Sequence, residues 1–132
     1  MNDLLNDETD YILPENGIGI KLWNKVLPGQ SLSKGHSKTA WLGHVKCSPN
    51  TVCHTLNAGN NGGKAHYRWD KPEVLPSSWW VRVFTFPDNF NFIGNQSSAR
   101  YLIGMSVPPF MMQRISNQIA HQWFGKLELM HE

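Results

Sequence analysis

The sequence predicts a small, irregular α+β domain with short antiparallel strands in a hairpin and a C-terminal amphipathic helix. This class rests on a periodic apolar pattern near the C-terminus, an Asn- and Gly-rich turn between two short segments, and many loop-forming residues. The chain has 132 residues, of which 40% are hydrophobic and 17% are charged, which suffices for one modest core. Because Asn, Gly, Ser and Pro are abundant, much of the chain is expected to be loop.

The clearest predicted element is the C-terminal helix. Met111, Ile115, Ile119 and Trp123 recur every four residues with polar side chains between them, which is typical of a helix with one apolar face. The pattern predicts a helix opened by Ser106 and by prolines, because the first N–H groups of a helix have no internal partner. Its apolar face packs either on the chain's own core or on another chain.

The remaining predicted elements are short. Residues 51–56 and 65–69 are extended segments joined by a turn rich in Asn and Gly, which predicts a hairpin. Residues 101–103 form a short strand or extended segment that turns at Gly104. Residues 79–84 form either a helix or a strand.

The basic residues lie in the middle of the chain. From Lys21 to Arg68 there are seven Lys or Arg and no Asp or Glu, whereas acidic residues gather at both ends. A basic middle suits a polyanion such as nucleic acid, and a solvated loop surface is the alternative. The candidate phosphate contacts are Lys34, Lys38, Lys46, Lys64 and Arg68.

The residues alone give no catalytic constellation. Cys47 and Cys53 are too few for a disulfide framework, and with His44 and His54 they match no standard zinc spacing, so no metal is expected. No Ser can be placed beside a His and a carboxylate from spacing. The sequence shows no signal peptide and no long apolar run, which predicts a cytoplasmic location and no membrane partner.

Several segments, taken in order, resemble a known family. They are LWNKVLPGQSLSK, SPNTVCHTLNAGNNGGKAHYRWDKPEVL, TFPDNFNFIGN and RYLIGMSVPPFMMQRISNQIA. Together they resemble the C-terminal part of bacterial DNA (cytosine-5) methyltransferases, over roughly residues 18–124. The strings TFPDNF and IGMSVPP, in this order and separation, are the most specific part of the resemblance.

The resemblance implies a division of the chain. Residues 1–16 would be a polar, loosely attached lead-in. Residues 17–98 would correspond to a small domain for target recognition on DNA. Residues 99–132 would carry the terminal motif and a helix that packs on a catalytic domain.

The terminal motif implies a contact with S-adenosylmethionine. The matching positions are Gly104, Met105, Ser106 and Val107, with Ser106 contributing its hydroxyl or its backbone N–H. A simple helix N-cap is the alternative role of Ser106. Met105 stands where the family usually has Asn, and the family's Pro-Arg-x-Leu-Thr arginine is also missing, so the local hydrogen bonding must differ.

The family's catalytic elements do not occur in this sequence. Cys47 follows Lys46 and Cys53 follows Val52, so neither belongs to a Pro-Cys nucleophile, and the Glu-Asn-Val acid is absent. Cytosine methylation requires a thiolate that attacks C6 and an acid that protonates the ring. We therefore expect neither catalysis nor S-adenosylmethionine binding by this chain alone.

Two functions are consistent with these features. In the first, the chain is a small subunit or C-terminal fragment of a split, restriction-modification type cytosine-5 methyltransferase, with double-stranded DNA and a catalytic subunit or domain as partners. In the second, it is a non-catalytic remnant or stand-alone DNA-binding module. The helix face of Met111, Ile115, Ile119 and Trp123 is the expected partner surface, with a homodimer as the other occupant.

Overall fold

The described part of the chain is mainly helical and has one small sheet. The computed structural model describes residues 8–36, 41–56, 65–90 and 92–124. Its helices are α1 (Ile18–Lys25), α2 (Ser77–Val83), α3 (Gln96–Met105) and α4 (Pro109–Ile119), with a 3₁₀ turn at Leu32–Gly35 and a π-helical extension at Ala120–Phe124. Its strands are β1 (Val45–Lys46) and β2 (His66–Tyr67). The α+β class is confirmed, and no helix in these ranges has the length and hydrophobicity to span a bilayer.

The two strands pair in parallel, so the predicted antiparallel hairpin is wrong. Val45 lies opposite His66, Lys46 lies opposite Tyr67, and residues 51–56 form no strand. All four strand residues are buried, as is usual for strands that pair in parallel inside a core. A turn-rich connection indicates only that the chain changes direction, and burial then selected residues 45–46 as the partner of β2.

One hydrophobic cluster surrounds α1. Leu22 and Val26 of this helix pack with Leu13, Leu32, Tyr67 and Val74. Gly19 allows the close approach of α1, because a Cβ atom at this position would lie 2.8 Å from Leu13 Cδ2 and 3.0 Å from a ring carbon of Trp41. A larger residue at position 19 would push α1 away from the N-terminal segment.

A second hydrophobic cluster lies between α2 and α3. Trp80 and Val81 from α2 pack with Ile103 from α3, and Leu75, Leu56 and Cys47 complete this cluster. Residues 77–83 are helical, which decides the open choice between helix and strand for this segment. Ser77 and Ser78 are buried at the start of α2, so the helix enters the core from its first turn.

Residues 101–103 belong to α3, so the predicted short strand is wrong. The Asn95 side chain accepts a hydrogen bond from Ser98 N and caps the helix. Ala99, Arg100 and Ile103 are then buried on one side, with the spacing of a helix. An apolar run of three residues is too short to distinguish a strand from a helix turn.

The N-terminal segment is part of the core. Leu13 is buried and its N–H donates to Pro72 O, while Tyr11 O accepts from Val74 N. Arg100 Nη2 lies 2.7 Å from Asp10 Oδ2, and the guanidinium is fully buried. Residues 8–13 therefore differ from the loosely attached lead-in that we predicted, because an ion pair and backbone hydrogen bonds hold them.

His66 is buried beside Trp80. The two rings meet edge to face with centroids 5.6 Å apart. Within the described ranges His66 Nδ1 and Trp80 Nε1 have no hydrogen-bond partner. Burial lowers the pKa of His66 to about 4, although a hydrogen bond to the Thr55 backbone opposes this shift.

We predict that Asp10→Ala destabilises the fold. Asp10→Ala removes a carboxylate that lies 2.7 Å from the buried Arg100 guanidinium, and we expect the free energy of unfolding to fall by about 3 kcal/mol. Urea unfolding followed by Trp fluorescence measures this loss. Glu15→Ala, an exposed residue on the same segment, is the control and should change little; equal midpoints for the two variants would contradict the role of the ion pair.

We also predict that stability falls in acid because of His66. Above pH 6.5 the ring is neutral in both states, and between pH 6.5 and 4 the unfolded state binds a proton that the folded state refuses. The resulting loss reaches about 3 kcal/mol at pH 4. Urea midpoints across this pH range should show a steeper acid loss in the natural chain than in His66→Phe. His121→Gln, at an exposed histidine of the π-helical extension, should keep the natural slope.

Candidate functional site

The terminal motif forms the end of α3 and the link to α4. Gly104 and Met105 complete the last turn of α3, and Ser106 has extended backbone angles. Ser106 N and Oγ both donate to Ile103 O, at 3.0 and 2.6 Å. Ser106 therefore ends α3 and does not open the next helix, contrary to our prediction. The residue that precedes α4 is Pro108, which makes no side-chain cap.

The side chains of the terminal motif differ in polarity and in exposure to solvent. Met105 and Val107 are 67% and 51% exposed. Ser106 is half-buried, and both of its hydrogen-bond donors are used within the chain. This link therefore offers an apolar surface to a neighbour, while Ser106 keeps only acceptor capacity.

The apolar face of α4 is exposed. The helix spans Pro109–Ile119, so the periodic pattern predicted it correctly. Met111, Ile115, Ile119 and Trp123 are between 40% and 69% exposed. No residue of α4 is buried. A contiguous exposed apolar surface of this kind is typical of a surface that another protein covers.

Apolar side chains are also exposed on α3. Tyr101, Leu102 and Met105 lie on the outer side of this helix and are between 48% and 67% exposed, whereas Arg100 and Ile103 face the core. We did not identify this exposed side of α3 in the sequence. A helical reading of residues 96–105 would have placed these three side chains opposite the buried ones.

An open cleft lies at the root of α4. It has a volume of about 420 Å³ and is lined by Arg82, Thr85, Phe86, Pro87, Asp88 and Phe110. Phe86 also packs on Phe90 and Phe92, with ring centroids 4.9 and 5.3 Å away. Phe86, the first residue of the FPDNF segment (residues 86–90), thus lines the same cleft as Phe110 at the start of α4.

Lys46 is buried among the residues of α1. Its Nζ donates to Trp23 O at 3.2 Å and to Val26 O at 3.3 Å, and it lies 3.6 Å from the centre of the Trp23 ring. Burial lowers the pKa of Lys46. The ammonium group donates to carbonyls at the C-terminal end of α1. The role of Lys46 is therefore to stabilise the fold.

The other predicted phosphate contacts differ in availability. Lys34 is exposed at the 3₁₀ turn. Arg68 lies 2.7 Å from Asp70 and 3.9 Å from Glu73, and its guanidinium covers the Trp79 ring. Two carboxylates therefore offset the charge of Arg68. Lys38 and Lys64 lie outside the described residues.

The two thiols are neighbours within the core. A side-chain hydrogen bond between Cys47 and Cys53, together with burial, raises the pKa of the Cys47 thiol, and the same hydrogen bond lowers the pKa of Cys53 to about 7. His44 Nδ1 pairs with Tyr67 Oη at 3.1 Å. In the described part of the chain no group of three or more His, Cys, Asp or Glu could hold a metal ion.

Comparisons with known proteins identify relatives that share part of this chain. The family model described as C-5 cytosine-specific DNA methylase matches residues 5–121. Type II methyltransferase M.BbvI of Brevibacillus brevis is 38% identical over 61 residues, which cover 46% of this chain and 16% of that protein. DNA (cytosine-5-)-methyltransferase M.ApeKI of Aeropyrum pernix is 32% identical over 80 residues, which cover 60% of this chain and 17% of that protein.

A third relative gives a similar coverage. Type II methyltransferase M.NgoFVII of Neisseria gonorrhoeae is 34% identical over 55 residues, which cover 42% of this chain and 15% of that protein. The chain thus spans less than a fifth of the length of the curated relatives it matches. No solved structure gives a significant match.

Proposed function

Because this chain belongs to the C-5 cytosine-specific DNA methylase family, we propose that it acts as the small subunit or C-terminal fragment of a DNA cytosine-5 methyltransferase. In this role it completes a separate catalytic domain. It contributes DNA target recognition and one wall of the S-adenosylmethionine pocket. The observation that carries the proposal is the exposed apolar face of α4 and its π-helical extension, formed by Met111, Ile115 and Ile119 on α4 and by Trp123 on the extension.

The exposed α4 face supports a partner for energetic reasons. Its four large apolar side chains each remain between 40% and 69% exposed. Covering the exposed part of such side chains contributes roughly 4 kcal/mol in total. Tyr101, Leu102 and Met105 are also exposed, on the outer side of α3. In our proposal the catalytic domain packs against both helices.

The terminal motif fits one side of a cofactor pocket. S-adenosylmethionine supplies the methyl group in this family, and the exposed Met105 and Val107 side chains are suited to pack against an apolar part of it. Ser106 cannot donate to it in the described conformation, because its N–H and hydroxyl bond to Ile103 O. In our proposal Gly104 and Ser106 therefore shape the link, and Met105 and Val107 make the contact.

The chemistry of methylation then belongs to the catalytic domain. Cys47 is buried, and its raised pKa keeps it a thiol. Cys53 has a lower pKa of about 7, but it is half-buried against the core and hydrogen-bonded to Cys47. Neither thiol lies in the Pro-Cys context that the family uses for attack on C6 of cytosine. The nucleophile and the acid must both come from the partner.

The DNA contact that we propose centres on exposed cations around α1. Lys34 is exposed on the 3₁₀ turn, and Lys21 and Lys25 are exposed on α1. Among the described residues, no ion pair joins these lysines to a carboxylate, whereas Asp70 offsets the charge of Arg68. Such lysines suit phosphate contacts, which position a protein on DNA without reading its sequence.

We predict that this chain restores methylation to a catalytic domain. The probe is M.BbvI shortened by the 61-residue stretch that this chain matches, and the measurement is transfer of tritiated methyl groups to duplex DNA. Ile115→Asp should reduce the restored activity at least tenfold, because a charge would be buried in the apolar contact. Asn117→Asp, on the opposite side of α4, is the matched control and should have little effect.

The controls separate the possible occupants of the α4 face. Calorimetry on the isolated chain should show no S-adenosylmethionine binding, because a single wall cannot enclose the ligand. The proposal would be contradicted if the natural chain restored no methylation although circular dichroism showed that the shortened enzyme is folded. Sedimentation that shows a stable dimer broken by Ile115→Asp would replace the catalytic partner by a second copy.

We predict that Lys34 and Lys46 affect DNA binding differently. Lys34→Gln should reduce the slope of log K against log salt by about one, because one phosphate contact is lost. Lys46→Gln should keep that slope and lower the free energy of unfolding by about 1–2 kcal/mol, because the Trp23 and Val26 carbonyls lose their donor. Fluorescence anisotropy at several salt concentrations and urea unfolding measure the two effects. An unchanged slope in Lys34→Gln would contradict the phosphate contact and favour the alternative, in which the basic region is only a solvated surface.

A further inference from the structure

The N-terminus of α4 lacks a cap from its own sequence. Its N-cap residue is Pro108, which makes no side-chain hydrogen bond, and Pro109 has no N–H. Phe110 therefore provides the first free N–H of the helix. This N–H donates to Thr85 Oγ1 at 3.1 Å, across a sequence separation of 25 residues. A residue that follows α2 in the sequence thus caps the start of α4.

Thr85 occupies an unfavourable backbone conformation. Its φ is +59°, in the left-handed region that β-branched residues rarely adopt. Thr85 N donates to Arg82 O, and Phe86 N donates to Val81 O, so two backbone hydrogen bonds hold the turn after α2 in place. Glycine would adopt this turn without strain. The hydroxyl that caps α4 is what threonine provides and glycine does not.

In the part of the chain that the structure describes, few other contacts fix the direction of α4. No residue of this helix is buried. Its covalent link runs through Ser106 and Val107, and at its root Phe110 shares the cleft with Thr85 and Phe86. The bond from Phe110 N to Thr85 Oγ1 therefore ties the first turn of α4 to the turn after α2.

We propose that Thr85 is a positioning residue, which sets the direction of α4 and so presents the apolar face of Met111, Ile115, Ile119 and Trp123 to the catalytic domain. This inference rests on the proposed function for the partner, while the intrachain cap can be measured without one. The strain at Thr85 persists because the hydroxyl is needed at that point of the turn. A turn with only a structural role would favour glycine.

Three substitutions at position 85 separate the cap from the turn. Thr85→Ser keeps the hydroxyl, Thr85→Val keeps the shape without an acceptor, and Thr85→Gly removes both the acceptor and the strain. Amide hydrogen exchange of Phe110, measured by NMR on the isolated chain, reports the cap directly. We expect the Phe110 amide to exchange about fivefold faster in Thr85→Val and Thr85→Gly, because loss of a helix cap commonly destabilises the first turn by about that factor. In Thr85→Ser the exchange rate should equal that of the natural chain.

The stability of the whole fold separates the strain from the cap. Thr85→Gly should unfold at a higher urea concentration than Thr85→Val, because both variants lack the acceptor and only glycine relieves the strained φ. In the methylation assay with shortened M.BbvI, Thr85→Gly and Thr85→Val should require about fivefold more of this chain for half-maximal activity, and Thr85→Ser should match the natural chain.

The outcomes distinguish this inference from the proposed function. Unchanged Phe110 exchange in Thr85→Gly and Thr85→Val would overturn the cap itself. Faster exchange with unchanged half-maximal concentrations would overturn the positioning role and leave the partner intact. If the natural chain restores no activity, the proposed function fails, and the positioning role fails with it even where the exchange data confirm the cap.

Discussion

The buried guanidinium of Arg100 joins the beginning and the end of the described chain. Arg100 lies on α3 and contacts Asp10, 90 residues earlier, with Ser97 and Gln96 within 3.4 Å of the same group. A buried charge without a partner costs several kcal/mol. The packing of α3 on the core is therefore stabilised by the N-terminal segment, which supplies the Asp10 carboxylate. This contact makes an acidic, polar segment a structural component of the fold.

The orientation of α3 follows from the same ion pair and determines what the surface offers. Once Arg100 and Ile103 face inward, the helix geometry forces Tyr101, Leu102 and Met105 outward. The outward side chains are apolar although they face solvent, as are those on the exposed face of α4. The exposure of these apolar side chains thus follows from the burial of Arg100 and Ile103 on the other side of α3. A domain of this size also has too little interior to cover both helices.

The sequence predicted those features that depend on local periodicity. The C-terminal helix and the α+β class were predicted correctly, because four-residue spacing needs no knowledge of the rest of the chain. The parallel pairing of β1 and β2 was missed, since burial and not the connecting turn selects the strand partner. The position of Lys46 was also missed, because a lysine whose stem packs on Trp23 has the same sequence signature as an exposed one.

The departure of Met105 from the family pattern and the conformation of the terminal motif are physically connected. The resembling proteins usually have Asn at this position, and Asn favours helix ends and left-handed turns, whereas Met favours a helix interior. In this chain α3 continues through Gly104 to Met105, and Ser106 is the C-cap residue. Both donors of Ser106 are then used on Ile103 O. In our proposal, a cofactor beside this link would therefore meet the exposed side chains of Met105 and Val107, because both donors of Ser106 are already used.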